Sequence, residues 1–262
     1  MFKFSDNLYY SMPAHFSGYE QGKLYYDDAT SIIISYETDR EMLLRYIPEG
    51  FELSEPLVQV AYVMCRGIRW MAGGNYNLVA VQVPAVYTAG PERIEGGYVL
   101  IIWENKTCPI LGGREQTGMP KVFANIEDHH QLGERMFTNL SYEGTSFLRM
   151  DFTQTRKYSE EEVKELNRQE ALMNWLGWRY IPHIGKPGAA LSHATLYPIN
   201  YNFTEVWAGE GTIGWQELTW EQHPNQYGAI NELARLPIKK YGGCRMARHS
   251  QVMRVDLARQ LP

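Results

Sequence analysis

Tyr98-Val99-Leu100-Ile101-Ile102-Trp103, followed shortly by Gly113-Arg114-Glu115-Gln116-Thr117-Gly118-Met119-Pro120-Lys121-Val122, is the stretch on which the reading of this chain turns. The first segment is apolar along its whole length, as a strand buried on both faces would be. The second is rich in turn formers and reads as a loop leaving the core. It carries one lysine, flanked by the apolar Ile110, Leu111, Met119, Val122 and Phe123. An ammonium drawn toward apolar surroundings loses hydration, and its pKa falls. A neutral lysine amine at pH 7 is a nucleophile toward carbonyl carbon, and imine formation is the usual chemistry it serves. The same residues also fit a surface lysine whose stem packs while its head reaches water. At this level both readings stand.

Outward from this stretch the pattern is dominated by strands. Residues 31–36, 57–63, 78–86, 98–103, 123–128, 135–142, 145–155 and 191–207 all read as extended, with two further short strands between Gly209 and His223. Gly144 fits a hairpin turn, and Pro198 predicts an edge or bend in its strand. Thr38 or Asp39 can cap a short helix that ends before Pro48. Ser159-Glu160-Glu161-Glu162 opens a helix with a capping box and is expected to run toward Trp175. The segment from Leu236 to Asp256 closes the chain with a break at Gly242-Gly243. No repeat, low-complexity tract or convincing linker interrupts the 262 residues, so one domain over 1–262 is expected. Its class is mainly β (α+β), antiparallel with a few helices. Residues 1–30, aromatic and turn-rich, are expected to form an arm on the surface or on a neighbouring subunit. Closure into a barrel would protect the sheet edges, but strand patterns alone do not separate a barrel from a sandwich.

Composition narrows the function classes. With 44% hydrophobic and 21% charged residues the chain can bury a real core. A net charge of -5 without a basic run argues against a nucleic-acid partner. No apolar stretch reaches the length of a membrane span. The N-terminus shows no secretory h-region. The three cysteines, Cys65, Cys108 and Cys244, are too sparse for a disulfide framework and have no metal spacing. A reducing, cytoplasmic setting is therefore expected. His129-His130, beside Glu127 and Asp128, is the nearest approach to a metal cluster, but adjacent strand residues point to opposite faces, so no metal is expected there.

Gly-Arg-Glu followed by Gly-x-Pro-Lys resembles the active-site signature of the acetoacetate decarboxylase superfamily, in which the lysine after the proline forms the Schiff base. Further matches occur in the same order along the chain: Tyr36-Glu37-Thr38-Asp39, then Pro48, then Glu55-Pro56-Leu57-Val58, then Thr204-Glu205-Val206-Trp207-Ala208-Gly209, and Leu236-Pro237-Ile238-Lys239. The resemblance spans roughly Ser31 to Leu257. It implies a β-barrel or cone, homo-oligomerisation, a small oxo acid as partner, and a covalent imine on Lys121 without any cofactor. The chain also departs from the family pattern. Val122 stands where the decarboxylases have a second lysine. Ala29, Ala61 and Leu78 stand where they have an arginine and two glutamates. This departure points away from acetoacetate and toward an aldolase-dehydratase acting on a 2-oxo acid, or a decarboxylase of another oxo acid. Acetoacetate decarboxylation itself, and a non-catalytic binding or secondary-metabolism tailoring role on the same fold, remain alternatives.

With Lys121 as the catalytic candidate, the substrate-binding candidates lie around it. Arg114 can bind a carboxylate bidentately, or can instead pair within its loop. Glu115, Gln116 and Thr117 are polar groups near the lysine, while Met119 and Val122 supply apolar wall. Tyr76 and Trp103 are candidates to line the pocket, and Tyr241, beside Gly242-Gly243, could supply a proton. Core or interface roles fit these last three better than a place in the site.

Overall fold

The computed structural model describes residues 3–16, 18–20 and 22–262. In chain order the elements are β1 (Leu24–Glu37), α1 (Arg40–Leu44), β2 (Phe51–Leu53), β3 (Leu57–Ile68), β4 (Gly74–Tyr87), β5 (Ile94–Glu104), α2 (Thr107–Gly112), a π-helical turn (Gly113–Thr117), β6 (Lys121–Phe123), β7 (Asn125–Ile126), β8 (His130–Leu132), β9 (Arg135–Tyr142), β10 (Thr145–Lys157), α3 (Glu160–Gln169), β11 (Leu172–Pro182), β12 (Ala189–Trp215), α4 (Tyr227–Ala234), β13 (Lys240–Met253) and β14 (Arg259–Gln260).

Seven strands close into a ring in the order β11–β5–β4–β3–β1–β13–β12, and β12 returns to β11. Every pairing in the ring is antiparallel except β11 with β5. The barrel expected from the resemblance is therefore present. β12 is long enough to leave the ring, and its far half pairs with β10, which carries β9, β7 and β8 outward.

The ring wall is buried on both faces, which explains the near-continuous apolar runs. Ile32, Ile34 and Tyr36 of β1, Val58 and Val60 of β3, and Val79, Val81 and Val83 of β4 face outward. They share a core with Phe147, Leu148, Met150 and Phe152 of β10. Inside the ring lie Tyr26, Cys65, Tyr76, Leu78, Ala80, Ile102, Trp175, Tyr197 and Met253. α1 is capped by Asp39, which accepts from the backbone of Glu41 and Met42. α3 has its full capping box, and Val163 and Leu166 set it against Phe203, Val206 and Ala247.

Several expectations change. The helix from Ser159 stops at Gln169, and Trp175 belongs instead to β11; its alternating residues pair along β12, which outweighs continuation of the helix. The segment after β5 is helical rather than a loop, because α2 and the π-turn satisfy its backbone until Gly118 ends it in a left-handed conformation (φ 70°). β1 starts at Leu24, inside the segment expected to be an arm. β13 passes through Gly242-Gly243 unbroken, and the two short strands after Gly209 are the end of β12. α4 has no counterpart among the expected elements. Among the described residues no helix is long and apolar enough to cross a membrane.

His249, on the inner face of β13, is 3% exposed, with Tyr201 and Phe203 edge-on at 5.4 and 5.5 Å. Burial, aided by nearby Arg245, lowers its pKa from 6.5 to about 4. The folded state thus holds the neutral imidazole, while the unfolded chain takes up a proton near pH 6.5. The stabilisation is complete above that value and is lost as pH falls toward 4, amounting to about 3 kcal/mol. Urea-unfolding free energies between pH 7.5 and 4 should fall more steeply for the wild type than for His249→Gln; equal slopes would refute this assignment.

Candidate active site

Lys121 opens β6, which runs parallel to β5 with Ile102 opposite Lys121. Ile102 belongs to the ring interior, so Lys121 projects inward, while its neighbours in sequence and across the ladder, Val122 and Trp103, face the outer core. The strap of α2 and the π-turn lies over the lysine. Met119 N–H donates to Gly113 O at 3.0 Å, and Lys121 N–H to Met119 O at 2.8 Å. Gly113 is glycine for a steric reason: a Cβ there would come within 2.4 Å of Lys121 Cδ and 2.5 Å of Cε. At Gly118 a Cβ would meet Arg179 Cβ at 2.6 Å, in a backbone region that already favours glycine.

Lys121 Nζ lies 2.7 Å from Glu104 Oε1 and 3.3 Å from Pro109 O. The two side chains are 6% and 0% exposed. Glu104 Oε2 has no hydrogen-bond partner. Burial raises the Glu104 carboxyl above the usual carboxylate range, against the opposing pull of Lys121. A buried carboxyl displaced upward and in direct contact with an amine is placed to take its proton and to return it.

Around this pair stand three tyrosines. Tyr26 and Tyr76 are hydrogen-bonded through their hydroxyls at 3.0 Å, and Trp70 Nε1–H donates to Tyr26 at 3.4 Å. Burial is the main cause that raises the pKa of Tyr26, Tyr76 and Tyr197, and the Glu104 charge adds to it in each. All three phenols therefore keep their protons at neutral pH. Lys121, Tyr26, Tyr197, Thr117, Cys108 and Met253 line a cavity of about 500 Å³, whose rim includes Lys23, Glu20 and Trp70. The N-terminal segment covers part of it. Met12 N–H donates to Glu115 Oε2 at 3.3 Å, and Gln116 donates to Ser11 at 3.3 Å and to Tyr19.

The candidates from the sequence are thus distributed as follows. Lys121, Gln116 and Thr117 line the cavity, and Thr117 Oγ1 also donates to Gly113 O at 2.9 Å. Met119 is packed in the ring interior, and Tyr76 lies there behind Tyr26. Arg114 is outside the lining and donates to the backbone oxygen of Lys121 at 3.0 Å, fixing the strap. Glu115 holds Met12 through its side chain and Arg179 through its backbone oxygen. Val122 packs against the outer core. Trp103, also in that core, donates to Gln226 at 2.7 Å and packs tilted against the Phe147 ring at 5.3 Å. Tyr241 faces outward too, accepting from Ile213 N–H at 2.9 Å. His129 and His130 diverge, one edge-on to Tyr62 and the other stacked on Phe137.

Sequence reasoning missed Glu104, Tyr26 and Tyr197. The signal for Glu104 was a single acid at the end of an apolar run. Its position has a further meaning. Ala29, Ala61 and Leu78, where the family resemblance places charged groups, are buried and neutral. Leu78 is the cross-strand partner of Glu104. Directly opposed residues share a face of the sheet, so Leu78 and Glu104 both point into the ring.

Comparison with known proteins agrees with this fold. The profile of the family described as acetoacetate decarboxylase (ADC) matches residues 11–260. Acetoacetate decarboxylase 3 of Mesorhizobium japonicum is 28% identical over 204 residues, covering 78% of this chain and 76% of that protein. Acetoacetate decarboxylase of Burkholderia lata is 26% identical, covering 78% and 79%. Among solved structures, acetoacetate decarboxylase from Legionella pneumophila superposes with TM-score 0.76 at 19% identity, covering 99% of this chain and 98% of that one. MppR, an enduracididine biosynthesis enzyme complexed with the condensation product of pyruvate and imidazole 4-carboxaldehyde, superposes with TM-score 0.71 at 13% identity, covering 98% and 97%. With the profile matched over nearly its whole length, the chain belongs to the acetoacetate decarboxylase family.

Proposed function

We propose that this protein is a Schiff-base-forming lyase that acts on an oxo acid through Lys121, by aldol and dehydration chemistry or by decarboxylation of a substrate other than acetoacetate. The observation that carries this reading is a lysine Nζ in a cavity wall, 2.7 Å from a fully buried carboxyl. As the amine attacks the substrate carbonyl, Glu104 accepts the proton it must lose. Returned to the carbinolamine oxygen, that proton lets water leave and the iminium form. The iminium then draws in an electron pair. In a β-oxo acid the pair comes from the bond to the carboxylate carbon, and carbon dioxide departs. In a 2-oxo acid it comes from the neighbouring C–H bond, whose proton passes to the Glu104 carboxylate, and the enamine attacks an aldehyde whose oxygen takes that proton and is then lost as water. The Tyr26 phenol, steadied by Tyr76 and Trp70, is placed to protonate the carbon or the departing hydroxyl.

The neutral Ala29, Ala61 and Leu78 support a substrate other than acetoacetate, since the buried charges of the decarboxylase pattern are missing. Among the described residues, Lys23 on the rim is the cation besides Lys121 in the cavity lining. Acetoacetate decarboxylation is the second reading, favoured by the names of the sequence relatives. We also propose a homo-oligomer, supported by the exposure of Met12 and Phe16 in the N-terminal segment; light scattering tests it.

Borohydride reduction in the presence of pyruvate, acetoacetate or larger oxo acids should leave a mass adduct on Lys121 that is absent from Lys121→Ala. A folded protein that forms no adduct with any of them would sink the imine reading and leave a binding role. Released carbon dioxide then separates decarboxylation from aldol chemistry. Glu104→Gln should slow trapping at pH 7 by roughly 10²-fold or more, with partial recovery as pH rises, because the amide cannot accept the amine's proton. An unchanged rate would exclude Glu104 as the base. Gly113→Ala should displace the Lys121 side chain and cost about 10²-fold in trapping rate, while circular dichroism stays that of the wild type.

A further inference from the structure

β6 is a strand of three residues, and among the described residues it pairs with β5 alone. Its other edge therefore presents backbone carbonyls that no strand takes up, and such groups need partners. Two side chains supply them. Arg114 donates to Lys121 O at 3.0 Å, and Gln226 Nε2–H donates to Phe123 O at 3.1 Å. Arg114 belongs to the strap itself. Gln226 comes from elsewhere, 103 residues after Phe123 in the chain, at the N-cap of α4.

The same amide also reaches β5. Gln226 Oε1 accepts from Trp103 Nε1–H at 2.7 Å. Trp103 lies opposite Val122, and the next rung pairs Glu104 with Phe123. One side chain thus bonds the residue before Glu104 on β5 and the residue two beyond Lys121 on β6. Its partners fix which way the amide points, since an indole N–H only donates and a carbonyl only accepts. Both ends of this clip are anchored. Asn231 of α4 accepts from Leu218 N–H at 2.7 Å and donates to Leu218 O at 2.9 Å, while Ile230 and Leu233 are buried in the outer core. Trp103 is fully buried against Phe147 and Trp215. Helix N-caps are commonly Ser, Thr, Asp or Asn, whose side chains bond the first turn. Gln226 makes no such bond; its amide serves the two strands instead.

We propose that Gln226 is a positioning residue for the reaction at Lys121. It acts from the outer side of the wall and is outside the lining of the lysine cavity. By tying Trp103 to Phe123 O it sets the spacing of the three-rung β5–β6 ladder, and with it the 2.7 Å contact between Lys121 Nζ and Glu104 Oε1. A ladder this short has few bonds of its own to resist slipping. Slack in it lengthens the path between amine and carboxyl, and proton transfer needs the two within hydrogen-bond reach. This assignment rests on reading Lys121 as the imine-forming lysine.

Rates of borohydride trapping with pyruvate, read by mass, test it together with amide hydrogen exchange. Gln226→Met keeps the bulk of the side chain and removes both bonds. It should lower the trapping rate at pH 7 by about tenfold, and the loss should shrink as pH rises, as for Glu104→Gln. In the Glu104→Gln background the same substitution should change the rate by less than about twofold, since a base that is absent cannot be misplaced. Amides of residues 121–124 should exchange about tenfold faster in Gln226→Met. Ser159→Ala, which removes the α3 cap, should alter neither reading. A loss that does not vary with pH, a loss of equal size in the Glu104→Gln background, wild-type exchange at 121–124, or a like effect of Ser159→Ala would each overturn the proposal. If Gln226→Met does not fold, Gln226→Glu, which can accept from Trp103 but not donate to Phe123 O, takes its place. Should the wild-type protein form no adduct, the imine reading fails by itself, and exchange at 121–124 still decides whether Gln226 holds the strand pair.

Discussion

The contact between Lys121 and Glu104 is the constraint around which the site is built. Two ionisable groups, both nearly stripped of water, meet at 2.7 Å in the ring interior. Burying such a pair is expensive, and breaking it by removing one partner leaves the other uncompensated. Here the partnership is incomplete, since one carboxyl oxygen has no hydrogen bond. The same desolvation that makes the pair costly raises the carboxyl above the usual carboxylate range.

The fold serves that contact in two ways. Ring closure gives β5 two buried faces, so its inner face can carry Glu104 while Trp103 anchors the outer core. The strap of α2 and the π-turn then brings the chain back parallel to β5 and sets Lys121 beside Ile102. Parallel pairing needs a connection of roughly a dozen residues or more; residues 105–120, with α2 and the π-turn, supply it, and the strap's own hydrogen bonds fix the three-residue β6. Arg114, at first sight a substrate ligand, contributes to this support through the Lys121 carbonyl.

Ala29, Ala61 and Leu78, where the resemblance leads one to expect charged residues, are buried and neutral. The acid that meets Lys121 is Glu104 of β5, the cross-strand neighbour of Leu78. Tyr26, Tyr76, Tyr197, Ile102 and Met119 pack in the ring interior beside the pair.

The sequence by itself determined what is local. It marked the strands 135–142 and 145–155 with their hairpin, the capped starts of α1 and α3, and the lysine within Gly-x-Pro-Lys. It also carried the family, because the motif order survives substitution elsewhere. What it could not determine is which residues meet. Tyr76, Trp103 and Tyr241 looked equivalent as pocket candidates, yet Trp103 and Tyr241 belong to the outer core and Tyr76 to the inner one. The facing of residues on β5 depends on the bulge where Val81/Gln82 meet Ile101/Val99, which shifts the phase of simple alternation. Glu104 and Lys121 meet through the strap between consecutive strands, but Tyr26 and Tyr76, and the opposite walls of the lysine cavity, come from strands far apart in the chain. Closure of the ring sets these distant strands side by side, because it packs their inner faces against one another.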